Sequence, residues 1–302
     1  VKAGRARDVV LLGSTALAAL VVVGMLFVIL IDVVRSGASV LSWTFLTAAP
    51  SGGMQSGGVG PAIFGTAALT ILMTVAVVPV GVITAIWLSE YAAPGSRLAQ
   101  LVRLAVSNLA GVPSIVFGLF GLGFFVQTMG RSIDRVAFGG VATYGKPGIL
   151  WASLTLAILT MPVVIVATEE ALRAVPRELR DASLALGATK FQTTFQVVVP
   201  QAMGGILTSA ILAVSRGAGE VAPILFTGAA YFLVELPTHL NDQFMNLGYH
   251  VYVLATQSPD VDKTRPQLYG TVLVLLMLTF LLNLLAVVIR VRARRSLASA
   301  RG

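Results

Sequence analysis

The chain contains no cysteine, and that absence removes disulfides, thiolate nucleophiles and every cysteine-ligated metal centre. Histidine is almost as scarce. His239 and His250 fall in one expected loop with no ligand-like spacing, so surface or packing roles are expected of both rather than metal binding. No G-x4-G-K-[ST] phosphate loop occurs, because Gly145-Lys146-Pro147 lacks the hydroxyl residue and the earlier glycine; any ATP is bound by another chain. Charge is thin as well: 11% of the 302 residues are charged and 56% are hydrophobic, which is too apolar for a water-soluble domain and long enough for several membrane spans. The net charge of +8 does not point to nucleic acid, since the basic residues flank apolar runs and form no patch interleaved with aromatics.

Apolar runs at about residues 9–31, 63–88, 98–129, 149–167, 206–234 and 268–289 predict an all-α, polytopic membrane protein of six transmembrane helices, a single domain over 1–302. The first run follows Lys2, Arg5 and Arg7 and exceeds the about 7–15 apolar residues of a signal peptide, so it reads as an uncleaved span. Pro79 and Pro162 predict bends, and the third run is interrupted by Asn108, Gly111 and Pro113-Ser114. With both termini inside, fourteen of the 21 basic residues fall on the inner side. Six, Arg35, Arg131, Arg135, Lys146, Lys263 and Arg265, fall outside, and Arg216 lies within the fifth run. That bias predicts cytoplasmic ends.

Between the fourth and fifth runs, residues 169–200 carry eight charged side chains and read as a cytoplasmic helix, glycine turn and second helix. Pro176 suits a first turn and Gly187 a left-handed terminator, so the first helix is expected over Pro176–Leu186. Thr189 and Gln192 have capping-box spacing, with Phe191, Phe195 and Val198 on one face of the helix that follows. In the fifth run, Arg216 and Glu220 lie four apart and can pair. A charge at mid-membrane costs at least about 2.5–3.5 kcal/mol on insertion scales. Gly217, Gly219 and Pro223 predict an open helix whose restart near Pro223 would turn free N–H groups toward Arg216. Two readings of the pair stand: an anion site, or a structural ion pair that fixes helix packing.

Asp181-Ala182-Ser183, then Gly187, then Val197-Val198-Val199-Pro200 resembles the EAA loop of ABC importer permeases in spacing, glycine and proline, with Asp for Glu, Ser for the second Ala and Val for Ile and Leu. The stretches Asn108–Gly118 and Ser215–Pro223, with Gly58–Ile63 and Leu282-Asn283-Leu284, narrow the resemblance to the A-type (PstA-type) permease subunits of phosphate-specific ABC importers. The resemblance implies a type I ABC importer permease fold, residence in the bacterial plasma (inner) membrane, and phosphate import by alternating access. It implies a substrate pathway at Arg216, Glu220, Asn108 and Ser114, and ATPase coupling through Asp181, Ala182, Ser183 and Gly187. The partners implied are a second, PstC-type permease, a PstB-type ATPase dimer that binds ATP and Mg, and a PstS-type phosphate-binding protein. This chain would hold no cofactor and perform no catalysis. Two alternatives remain: a permease for another oxyanion such as sulfate or molybdate, or a membrane-embedded signalling or scaffold subunit.

Overall fold

Inside a bilayer no water is present to satisfy backbone groups, so apolar runs close their N–H groups onto their own carbonyls as helices. The computed structural model describes residues 2–52, 56–258 and 260–299. In chain order its helices are α1 (Lys2–Gly37), α2 (Trp43–Thr47), α3 (Gly60–Tyr91), α4 (Arg97–Ala110), α5 (Ser114–Ala137) and α6 (Ile149–Arg173). They continue as α7 (Arg177–Ala185), α8 (Lys190–Gly217), α9 (Ile224–Thr227), α10 (Leu247–Thr256) and α11 (Val261–Ser299). Among the described residues six of these, α1, α3, α5, α6, α8 and α11, are long and apolar enough to cross a membrane. A short antiparallel pair, β1 (Pro50–Ser51) with β2 (Ser56–Gly57), closes the α2–α3 connection. Of the residues in the charge count, the side chains of Lys2, Arg5, Arg7, Arg294 and Arg295, and all of Arg301, lie outside the described set.

Two spans differ from the sequence expectation. The third, expected as one helix over 98–129, is divided: α4 ends at Ala110, and α5 begins at Ser114 after Pro113 at φ −57° and ψ 137°. Pro113 has no N–H to continue the ladder and drives Val112 away from helical angles, so the chain breaks at the interruption marked in the sequence and the run is two helices. The fifth, expected over 206–234, is α8, Lys190–Gly217. Its start lies sixteen residues earlier because Pro200 does not end a helix: the turn at Thr193–Val198 widens to i→i+5 bonding and absorbs the missing donor. Its end lies earlier because the helix lapses after Gly217, and α9 restores only four residues. By contrast α3 and α6 run unbroken through Pro79 and Pro162.

The core is built round α6, two thirds of whose span is buried, against 6% for α1 and for α11. Leu69, Met73 and Val77 of α3, Leu156 and Val164 of α6 and Ala213 of α8 form one apolar cluster. A second cluster nearer the α7 end joins Ala85, Leu88, Ile165, Leu172, Val198 and Ile206. Buried hydroxyls satisfy themselves on the helix carbonyl four residues back, as Thr70 does on Thr66 at 2.7 Å, or across helices, as Thr168 and Ser209 do at 2.9 Å. At the end remote from α7, buried Asp134 accepts the N–H groups of Thr143, Tyr144 and Gly145 at 2.7–3.1 Å, closing the α5–α6 loop.

Candidate functional site

No residue of α7 is buried, and local chemistry fixes the shape of its hairpin. Pro176 stands as N-cap, one residue before the helix it was expected to open, and Gly187 takes φ +84° after the last turn. The amide of Ala188 donates to the Ser183 carbonyl at 3.2 Å, closing the C-terminus. The Thr189 hydroxyl accepts from Gln192 N–H at 3.2 Å while the Gln192 side chain accepts from Thr189 N–H at 2.8 Å, the complete capping box. Asp181 and Ala182 are exposed, Ser183 is half-buried and shares a hydrogen bond of 2.9 Å with Thr193, and Gly187 lies open. The structure therefore gathers the four expected coupling residues on one hairpin. Its tip is apolar: Leu186 is 90% exposed and Phe191 63%, with the Phe191 ring packed on Phe195 at 4.6 Å.

Glu169 and Glu170, expected in a loop, are the last turn of α6, and residues 190–200 belong to α8, so the free connection is short. Glu169 accepts from Arg103 at 2.9 Å and from Arg173 at 2.6 Å, clipping α4 to α6. Arg180 makes a bidentate pair with Glu90 at 2.9 and 3.1 Å and also donates to the carbonyls of Leu172 and Val175 at 2.8 and 2.6 Å. Neither cross-helix partnership was anticipated from the sequence. The i,i+4 spacing of Glu169 and Arg173 carried a local signal, whereas Arg103 and Glu90 are remote in the chain.

At the other expected site, Arg216 occupies the last turn of α8, and its Nε lies 3.7 Å from Glu220 Oε1. That is an ion pair without hydrogen-bond geometry. The pair was expected to be buried, yet the side chains are 42% and 22% exposed on the surface of this chain. The two Nη groups of Arg216 make no hydrogen bond among the described residues, so the planar fork is free to hold an anion. The expected helix restart does not supply a dipole, because α9 is a single turn. What supports the break is packing: a Cβ on Gly118 would stand 3.0 Å from the Pro223 carbonyl and 3.1 Å from that of Ala222, so glycine lets α5 approach this backbone closely and any larger residue would push the two apart by a few tenths of an ångström. The interruptions at 111–113 and 218–223 therefore flank one contact. Asn108 is exposed and Ser114 half-buried on either side of the 111–113 interruption; neither side chain bonds Arg216 or Glu220 among the described residues. Ser215, next to Arg216, donates to Asn283 Oδ1 of α11 at 2.6 Å, a role for Asn283 that spacing did not suggest.

The end remote from α7 carries a hollow of about 810 Å³ whose lining includes Lys146, Glu235, His239 and Asp242. Backbone N–H bonds from His239, then Thr238, hold the Asp242 carboxyl below the usual carboxylate range. His250 is not in a loop but on α10, where burial pushes its imidazole down to about 4. His239 is exposed beside Thr238, and no group of three or more metal-ligating side chains occurs among the described residues.

Residues 77–298 match the family described as binding-protein-dependent transport system inner membrane component. The chain is 32% identical over 215 residues, 71% of its length and 68% of the relative's, to the probable ABC transporter permease protein YqgI of Bacillus subtilis. It is 34% identical over 240 residues, 80% of its length and 73% of the relative's, to the phosphate transport system permease protein PstA 1 of Mycobacterium tuberculosis. Among solved structures, a bacterial alginate ABC transporter in complex with an alginate-bound periplasmic protein superposes with a TM-score of 0.66 at 14% identity, covering 93% of each chain, a likeness of fold alone.

Proposed function

Because the chain belongs to the inner membrane component family of binding-protein-dependent transport systems, and within it to the PstA-type permeases of ABC importers, we propose that it conducts inorganic phosphate into the cell. It is a multi-pass membrane protein of the type I importer fold. The observation that carries the substrate assignment is the guanidinium of Arg216 at the lapse of α8, ion-paired through Nε with Glu220 while its two Nη groups make no hydrogen bond among the described residues. The fork can hold two phosphate oxygens at once, and the carboxylate can accept the proton of monohydrogen or dihydrogen phosphate, which fully ionised sulfate lacks. Asn108 and Ser114 border the other interruption, at 111–113, and line the route with neutral polar groups.

In this reading the α7 end faces the cytoplasm, both termini lie on that side, and the membrane is the bacterial plasma membrane. The exposed Leu186 and Phe191 meet a groove of a PstB-type ATPase, with Asp181, Ala182 and Ser183 on the docking face. ATP and Mg reside in that ATPase, which performs the hydrolysis. One such hairpin serves one ATPase subunit, so an ATPase dimer calls for a second, PstC-type permease beside this chain. The exposed Arg216 face belongs between the two permeases. The opposite end, with its polar hollow, receives a PstS-type phosphate-binding protein. Closure of the ATPases moves the hairpins and rocks the permeases between inward and outward openings.

Proteoliposomes containing the full complex test this. ATP-dependent uptake of radiolabelled phosphate that exceeds sulfate or molybdate uptake is the expected result. Equal sulfate or molybdate uptake would reassign the substrate, and binding-protein-dependent ATP hydrolysis without any uptake would favour a signalling role.

A further inference from the structure

Arg180 sits where three elements end, and its contacts exceed what a docking surface requires. It projects from the first turns of α7, is 18% exposed, and meets Glu90, 9% exposed, in the widened final turn of α3. Both guanidinium edges are used. Nε and Nη2 clasp the two Glu90 oxygens, Nη2 also reaches the Leu172 carbonyl, and Nη1 reaches the Val175 carbonyl. Leu172 and Val175 flank the C-terminus of α6, whose last carbonyls have no partner within the helix. One side chain thus holds α7, the end of α3 and the end of α6 together. Ser89 donates to the same Glu90 oxygen at 2.9 Å and fixes the carboxylate from the other side. Lys190, at the start of α8, lies 5.4 Å above the Tyr91 ring on the same turn. α7 also packs against the opening turns of α8, where its side-chain tie is a single neutral bond, Ser183 to Thr193. Charge-assisted bonds are roughly twice as strong as neutral ones, so the polar ties of α7 run mainly to α3 and α6.

We infer that Arg180 is a positioning residue which makes α7 and the adjoining ends of α3 and α6 move as one body, so that displacement of the hairpin reaches two core helices at once. The inference rests on the assignment of α7 as the ATPase-docking helix. Only arginine fits the position: lysine retains the charge but cannot span a carboxylate and two separate carbonyls. Because Arg180 lies under the hairpin and not on its exposed face, its loss should uncouple motion without abolishing docking.

The test uses the assembled complex, with spin labels at Ile83 of α3 and Glu178 of α7 introduced as cysteines into a chain that has none. Without further change the interlabel distance should stay narrow and constant with and without ATP. In Arg180→Gln it should broaden and shift on ATP binding while the ATPase still co-purifies, and phosphate carried per ATP hydrolysed should fall about tenfold. Glu90→Gln should do the same, and supplies the measurement if Arg180→Gln does not accumulate. Arg180→Lys should fall between. An unchanged distance and transport ratio in both glutamine variants overturns the inference, as does loss of ATPase co-purification, which would place Arg180 in the docking contact itself. If the unaltered complex carries no phosphate, the substrate assignment fails, and the distance measurement still decides the role of Arg180.

Discussion

Gly187→Val isolates the conformational demand of the hairpin turn from every other contact. The residue holds φ at +84°, and a Cβ built there meets no heavy atom within 4 Å, so the position is sterically open at Cβ. The whole cost is backbone: an L-residue in the left-handed region loses about 1–2 kcal/mol, and a β-branched one sits at the upper end. A penalty of that size corresponds to a factor of about 5–30 in an equilibrium. Because the spans do not touch position 187, insertion should be unaffected, and the strain should appear where the hairpin must hold its shape against a partner. The assay is titration of nanodisc-embedded permease with its ATPase. Gly187→Val is expected to weaken the apparent Kd by about 5–30-fold, Gly187→Ala by less, and Gly187→Asn least, since asparagine tolerates the left-handed region. Wild-type affinity in the valine variant would refute the reasoning. So would an asparagine variant as weak as valine, because bulk at the interface, and not φ, would then be the cause.

Arg216→Lys should insert and assemble normally yet lose most phosphate uptake, because the charge survives and the two-oxygen fork does not. If the double change Arg216→Met with Glu220→Gln restored uptake to near wild-type rates, the pair would be a packing device and the pathway assignment wrong. A cysteine at Ser56 should react with an impermeant thiol reagent in intact cells, and one at Leu186 only after permeabilisation; the reverse pattern would invert the proposed orientation. Asp242 has a native pKa held below the usual 3.8 by N–H bonds from His239 and Thr238, so its loop is stabilised above that value and released as pH falls through the lowered one. Protection of the 238–239 amides, measured relative to their intrinsic exchange rates, should fall below about pH 4 and lose this dependence in Asp242→Asn. A flat profile in the unaltered chain would remove Asp242 as the cause.

Four membrane helices could be placed from apolar runs because hydrocarbon leaves the backbone a single solution, and α1, α3, α6 and α11 contain the expected stretches. The hairpin was readable for a different reason. A positive φ at Gly187 and a capping box at Thr189 are local devices whose partners lie within four residues. What stayed hidden depends on distance or accommodation. Pro200 reads as a helix end, and only the widened turn before it carries α8 through; Pro113 marks an interruption inside one apolar run, and only its extended ψ shows a full break. The partners of Glu90 and Glu169 lie 90 and 66 residues away, where spacing says nothing. Arg216 and Glu220 were placed together by their i,i+4 spacing, but their exposure is a property of the assembled surface.

The interruption between Gly217 and Ile224 has a consequence for how much of this chain a cell can hold. There the Glu220 N–H reaches the Gly217 carbonyl at 3.3 Å in place of a helix ladder, beside a part-exposed guanidinium. Hydrocarbon penalises each unsatisfied backbone group by several kcal/mol, so this face is tolerable only against water or another protein. A copy that has met no second permease is a poor solute in its own membrane. If the proposed second permease covers this face, its supply should cap the abundance of this chain, and overproduction of this chain alone is expected to yield degraded or aggregated protein rather than spare permease.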